Sequence, residues 1–130
     1  MTAELTALAL AALLQVGQFA LYSVLAQRQV GPTYAMGARD EPRLLTGAAG
    51  RAQRALNNHF EGLILFGIAV MVVTLSDTAD STTALAAMVY LIARVLYVPA
   101  YMLGWTPWRS VIWSFGLVAT ITMLIHALLA

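Results

Sequence analysis

The chain has 130 residues, of which 61% are hydrophobic and 10% are charged, and it contains no cysteine. Soluble domains carry roughly 25% charged residues, so this composition indicates an integral membrane protein with one compact domain over residues 1–130. The absence of cysteine excludes disulfides, thiolate metal sites and a cysteine nucleophile, and the net charge of +1 gives no sign of a nucleic-acid partner.

Four segments are candidates for membrane-spanning helices, which need about 20 mostly apolar residues each. The first covers residues 5–26, and its apolar run is too long for a signal peptide, which indicates a retained helix. The third covers residues 83–103 and the fourth residues 108–129, where Pro107 is placed to start the helix. The sequence therefore predicts an all-α fold, a bundle of four transmembrane helices.

The second candidate span begins with polar residues. Its apolar run, residues 63–75, is too short to cross a bilayer, so the helix must extend backwards to about residue 54. This extension places Asn58 and Glu61 within the membrane zone.

The first and second spans are joined by residues 27–50, which carry Gly, Pro and mixed charge and predict an extramembrane loop. Positive charges favour the cytoplasmic side, whereas the loop between the second and third spans has Asp77 and Asp80 and no base. The first and third loops should therefore be cytoplasmic, with both termini on the other side of what we expect to be a bacterial inner membrane. The arginines that set this orientation are Arg28, Arg39, Arg43, Arg51, Arg54 and Arg109.

Polar residues of the second and third spans each share one helix face. At about 100° per residue, those of the second span fall within an arc of about 80°. An ionised side chain in hydrocarbon is costly, so Glu61 and Arg94, each near the middle of its span, are expected to face inwards and pair. The second-span residues are Arg51, Arg54, Asn58 and Glu61, and the third-span residues are Arg94, Tyr97 and Tyr101.

Two interpretations of these faces stay open from the residues alone. One is a buried polar clasp that holds two helices together, with the second-span arginines as interfacial anchors. The other is a site for a polar anion with carboxylates, because the guanidinium fork binds carboxylates with two hydrogen bonds. His59 and His126 lack partners at ligand spacing, so no metal site is expected.

Several motifs together resemble the MAPEG superfamily, the membrane-associated proteins in eicosanoid and glutathione metabolism. The segment 54–61 resembles its second-helix pattern R-A-x-x-N-x-x-E, and segment 93–101 resembles its third-helix pattern A-R-x-x-Y-x-x-x-Y. The "PWRS" segment, residues 107–110, resembles the start of its fourth helix. The resemblance covers nearly the whole chain and is greatest to bacterial members. Two further basic positions match, Arg28 and Arg51.

This resemblance implies a homotrimer that binds glutathione as a co-substrate between subunits at the cytoplasmic side. Its implied activity is glutathione transfer to lipophilic electrophiles or peroxide reduction, with Arg109 lowering the thiol pKa and the Ser110 hydroxyl donating to the sulfur. The implied partners are a second and third copy of the chain, membrane lipids, glutathione and a lipophilic small molecule. The implied glutathione-binding residues are Arg28, Arg51, Arg54, Asn58, Glu61, Arg94, Tyr97 and Tyr101.

Two other functions are alternatives to a glutathione-dependent enzyme. A non-catalytic membrane protein would bind a lipid or small ligand and use its polar residues for trimer assembly. A small multidrug exporter would also have one embedded glutamate, but the arginines around Glu61 would repel cationic drugs.

Overall fold

A computed structural model describes all residues, Met1–Ala130, as five α-helices without a strand. Four helices are long and apolar enough to cross a membrane, which confirms the predicted four-helix membrane class. These are α1 (Ala3–Val30), α3 (Gly47–Leu75), α4 (Ser81–Met102) and α5 (Trp108–Leu129). The fifth, α2 (Pro32–Met36), is a short helix after α1.

The segment between the first two spans is more helical than the sequence suggests. Helix α1 continues to Val30 and α3 begins at Gly47, so only Gly31 and residues 37–46 of this segment lack helical structure. Residues 37–46 are called the connecting loop. Gln29 stabilises this arrangement, because its side-chain oxygen accepts from the Thr46 amide at 2.8 Å and its amide donates to the Thr46 carbonyl at 3.1 Å. Helix α3 runs unbroken through residues 54–62, as the backward extension of the second span requires.

Helices α3 and α4 form the centre of the bundle. Each packs against α1, α5 and the other, whereas α1 and α5 do not touch. Small side chains such as Ala69 and Ala87 allow close approach of the helices, and the Phe66 and Tyr90 rings stack with their centroids 3.8 Å apart. The two central helices carry most of the predicted site residues, so the fold brings them together.

A polar network joins three helices at the end of the bundle opposite the connecting loop. The Asp80 carboxylate caps α4 by accepting from the amides of Thr82 at 2.8 Å and Thr83 at 3.2 Å. His126 of α5 lies 2.8 Å from the same carboxylate, and the Thr83 hydroxyl donates to the buried Glu4 of α1. This network fixes the start of α4 relative to its neighbours.

The cap of α4 predicts a loss of stability in acid. Hydrogen bonds from the backbone amides of Thr83 and Thr82, together with nearby His126, lower the pKa of the Asp80 carboxyl below its usual 3.8. A lowered folded-state pKa stabilises the fold above pH 3.8, and this stabilisation is lost as the pH falls through the folded-state value. We expect the melting temperature of Asp80→Asn in detergent micelles to fall less than that of the wild type below about pH 4. The nearby Asp77→Asn should follow the wild type, and superimposed profiles for all three proteins would contradict the prediction.

Gly50, near the start of α3, packs closely against the backbone of the connecting loop. A Cβ atom there would lie 2.8 Å from the Leu45 carbonyl oxygen and 3.2 Å from Nη1 of Arg54. We therefore expect Gly50→Ala to lower the free energy of unfolding by about 1–3 kcal/mol, although alanine favours helix. The matched control is Gly67→Ala in the same helix, where the nearest atom is Leu8 Cδ1 at 3.8 Å. Equal thermal stability of both variants would contradict this prediction, because it would show that the Leu45 backbone moves away at no measurable cost in stability.

Candidate functional site

Tyr101, in the last turn of α4, brings together arginines from two other helices. Nε of Arg54 in α3 donates to the Tyr101 hydroxyl at 3.1 Å. The guanidinium carbon of Arg109, in the first turn of α5, lies 4.6 Å from the centre of the Tyr101 ring. Arginine stacks well on aromatic faces, so the ring holds two cations close to each other.

Arg94 lies deeper in the bundle and connects to the same group. Its guanidinium carbon lies 4.5 Å from the centre of the Tyr97 ring, and the Tyr97 and Tyr101 rings meet edge to face at 5.6 Å. Its Nη1 donates to Oδ1 of Asn58 at 2.9 Å. Only 2% of Arg94 is exposed, and its Nε and Nη2 have no partner in the chain. We call this group the arginine–tyrosine cluster: Arg54, Asn58, Arg94, Tyr97, Tyr101 and Arg109.

Two glycines, Gly62 and Gly116, lie beside the buried Arg94 side chain. A Cβ atom at Gly62 would lie 3.9 Å from the Arg94 guanidinium carbon and 3.3 Å from the Tyr90 hydroxyl. A Cβ atom at Gly116 of α5 would lie 3.9 Å from Arg94 Cδ. Both distances to Arg94 are ordinary van der Waals contacts, and the tight contact at Gly62 is with the Tyr90 hydroxyl.

No carboxylate neutralises the cluster. The one contact between a carboxylate and a basic side chain in the chain, between Asp80 and His126, lies at the opposite end of the bundle. A concentration of unpaired guanidinium groups creates a positive field that favours anions. The arginine–tyrosine cluster can therefore attract and orient a ligand with carboxylates.

The predicted pairing of Glu61 with Arg94 is wrong for the single chain. Glu61 is exposed and forms no ion pair, while Arg94 bonds to Asn58 instead. Glu61 comes three residues after Asn58, so the helix turns its side chain about 60° away from the direction of Asn58. That rotation carries the carboxylate from the helix interface to the outer surface of the bundle.

Three other predicted site residues lie at or beyond the edge of the cluster. Arg51 donates from Nε to the Met102 carbonyl at 2.9 Å, which satisfies a free carbonyl at the end of α4. Arg28 is exposed in the last turn of α1 and does not join the cluster. The Ser110 side chain is exposed beside Arg109, without a hydrogen bond to the rest of the chain.

A second buried polar group contains none of the residues that the sequence motifs specify. His59 is fully buried, and its Nδ1 lies 2.6 Å from Oε1 of Gln15 in α1. Gln18, one turn further along α1, is also buried, and both its amide atoms lack partners. The signal was present in the first span, where these two glutamines recur at helical spacing in an otherwise apolar run.

Comparison with known proteins gives one match. The sequence model of the MAPEG family matches residues 4–129, which is nearly the whole chain. No curated protein and no solved structure matches the chain. The match includes all four long helices and every residue of the arginine–tyrosine cluster. With the four apolar helices, it shows that the chain belongs to the MAPEG family.

Proposed function

We propose that this protein is a glutathione-dependent membrane transferase or peroxidase that acts on lipophilic electrophiles. The observation that carries the proposal is the gathering of Arg54, Arg94 and Arg109 around two tyrosines without a carboxylate. Glutathione has two carboxylates and one ammonium group, so its negative net charge complements the cluster. Membership of the MAPEG family is consistent with such an activity.

The residues of the cluster divide by exposure into contact and support roles. Arg54 is exposed and Arg109 half-buried, so their guanidinium groups are free to bind glutathione directly. The bond from Arg94 occupies Oδ1 of Asn58, which leaves the Asn58 Nδ2 amino group to donate to a glutathione carbonyl. Arg94 and the buried Tyr97 then act as positioning residues behind the contact surface.

The position of Glu61 supports a site between subunits. An ionised carboxylate that faces lipid is costly, and a neighbouring copy of the chain would cover it. In the homotrimer that we propose, Glu61 receives the glutathione ammonium. Arg51, one turn before Arg54, extends the positive surface toward the loops, which we expect on the cytoplasmic side from the arginine distribution.

The chemistry that we propose begins with the glutathione thiol. A free thiol has a pKa of about 8.5, and a nearby cation lowers it, so more thiolate forms at neutral pH. Arg109 supplies this cation, and the free Ser110 hydroxyl is available to donate to the sulfur. The thiolate attacks an electrophilic carbon of an acceptor from the bilayer, and a sulfur–carbon bond forms. The bond from that carbon to its leaving group breaks, the leaving group departs with the electron pair of that bond, and the thiol proton passes to the aqueous side.

A second function is favoured by the burial of Arg94. A guanidinium that is 2% exposed and bonded to Asn58 at 2.9 Å is also what a structural clasp between α3 and α4 would need. In that case the protein binds a lipid or small ligand without catalysis, and the cluster holds the helices together.

Glutathione binding tests the proposed function directly. We expect calorimetry on the protein in detergent micelles to show saturable binding that Arg54→Ala weakens at least about tenfold, because a charge-assisted contact is lost. Arg39→Ala also removes one arginine but lies in the connecting loop, so it should bind like the wild type. Absence of binding by the folded wild type, or equal weakening by both variants, would overturn the proposal.

A further inference from the structure

A small cavity lies under the connecting loop, on a different side of α3 from the arginine–tyrosine cluster. Its volume is about 130 Å³, several times the roughly 10–15 Å³ that one water needs. The end of α1, helix α2, the connecting loop and α3 all contribute to its wall. Gln53 lines this cavity, while the next residue, Arg54, bonds to Tyr101 of the cluster.

Two arginines of the connecting loop line the cavity and are held in place. Nε of Arg39 donates to the Ala35 carbonyl at 2.9 Å, and Nη1 of Arg43 donates to the Val30 carbonyl at 3.0 Å. The Arg43 guanidinium also lies 4.3 Å over the centre of the Tyr34 ring. Such bonds fix both side chains before any ligand arrives, which reduces the entropy cost of binding.

Both guanidinium groups keep unused hydrogen-bond donors. Nη1 of Arg39 and both Nε and Nη2 of Arg43 have no partner in the chain, and neither arginine forms an ion pair with the adjacent acidic residues. The Tyr22 hydroxyl and the Gln53 amide, which also line the cavity, make no hydrogen bond either. Four polar side chains with unused hydrogen-bond donors therefore line one small cavity.

We propose that this cavity binds a phosphate group, supplied by a phospholipid headgroup or by a soluble phosphate ester. Two guanidinium groups with free N–H donors match the oxygens of a phosphate, and arginine binds phosphate with paired hydrogen bonds. The cavity lies where α1, a membrane-length helix, ends, which is the level at which headgroups are found. The site takes no residue from the arginine–tyrosine cluster, so it stands or falls independently of the glutathione proposal.

Calorimetry with three probes tests the site on the full chain in uncharged detergent micelles. The probes are dioctanoyl phosphatidylglycerol, glycerol phosphate and dioctanoylglycerol, which has the same chains but no phosphate. Saturable binding of the first probe alone would support the site and identify a lipid headgroup, and tight binding of glycerol phosphate would support it with a soluble ester. Failure of both phosphate probes, or equally tight binding of dioctanoylglycerol, would overturn the proposal.

Variants separate the cavity from general attraction to positive charge. We expect Arg43→Gln to weaken phosphate binding at least about tenfold, because a charge-assisted contact is lost. Ala35→Leu should do the same by filling the cavity while leaving both arginines in place, which guards against a loop that merely misfolds. Arg28→Gln removes an exposed arginine outside the cavity and should bind like the wild type. Equal weakening by Arg28→Gln, or unchanged binding in Ala35→Leu, would overturn the proposal.

Discussion

Replacement of Arg94 by methionine should leave the free energy of unfolding within about 1 kcal/mol of the wild type and yet weaken glutathione binding at least about tenfold. The guanidinium is buried, and its Nε and Nη2 have no hydrogen-bond partner. The free-energy cost of removing it from water is therefore only partly offset by hydrogen bonds. Methionine is shorter than arginine but only slightly smaller in volume, is flexible and has no polar hydrogen, so it should fill most of the same space. Binding should fall because Asn58 loses the bond that orients its amide.

This substitution separates the two interpretations that the sequence leaves open. If the cluster is only a clasp, removing its central bond should cost about 1–3 kcal/mol, because the Asn58 side-chain oxygen is left without its partner. Thermal and denaturant unfolding in detergent micelles measure that cost, and calorimetry measures glutathione binding on the same preparations. The matched control is Tyr90→Phe, which removes another buried, unpartnered polar atom of the same helix. A loss of glutathione binding in Tyr90→Phe as large as in Arg94→Met would show that binding depends on the packing of α4 in general and not on the arginine.

The helices could be predicted from the sequence, because a single long apolar segment in a membrane can form all its backbone hydrogen bonds internally only as an α-helix. All four predicted spans correspond to long helices, and the start of α5 at Trp108 agrees with the prediction. The C-terminal end of α1 and the start of α3 could not be predicted. They depend on the bonds between Gln29 and Thr46, two residues far apart in the chain whose contact no local pattern reveals.

The cluster could be predicted as a set of residues but not as a set of contacts. Helical spacing correctly placed Arg94, Tyr97 and Tyr101 on one face, and the structure joins them through ring contacts. The partner of Arg94 was misassigned, because charge alone favours Glu61 whereas the rotation of α3 brings Asn58 inwards. Asn58 and Glu61 point about 60° apart around α3, and the rotation of α3 decides which of them faces α4. The amino-acid sequence of α3 alone does not specify that rotation.

The exposure of Glu61 links the single chain to its proposed assembly. The outer surface of α3 carries this carboxylate beside exposed Phe60 and Ile64, a mixture unsuited to lipid alone. A subunit interface would bury both kinds of group, with the ammonium of glutathione next to the carboxylate. The arginine–tyrosine cluster would then be one wall of a site whose second wall comes from the neighbouring copy.

Replacement of Arg109 by alanine should reduce the rate of glutathione transfer by about 10²–10³-fold, a loss typical of removing one preorganised charge-stabilising group. Arg109 lies in the first turn of α5 and is held over the Tyr101 ring, where it can meet a thiol from the aqueous side. Without its charge the glutathione thiol should ionise at higher pH, so the rising limb of the pH–rate profile should move to higher pH.

The measurement is the rate of conjugation of chlorodinitrobenzene, followed from acid to alkaline pH for the wild type and for three variants of the first turn of α5. Arg109→Lys keeps the positive charge and should keep the position of the limb, although the rate falls because the fork is lost. Ser110→Ala should slow the reaction by a smaller factor than Arg109→Ala, because a hydroxyl contributes one neutral hydrogen bond and no charge. An Arg109→Ala profile that coincides with that of the wild type would remove Arg109 from the mechanism. Equal shifts in Arg109→Ala and Arg109→Lys would show that geometry, not charge, controls the thiol.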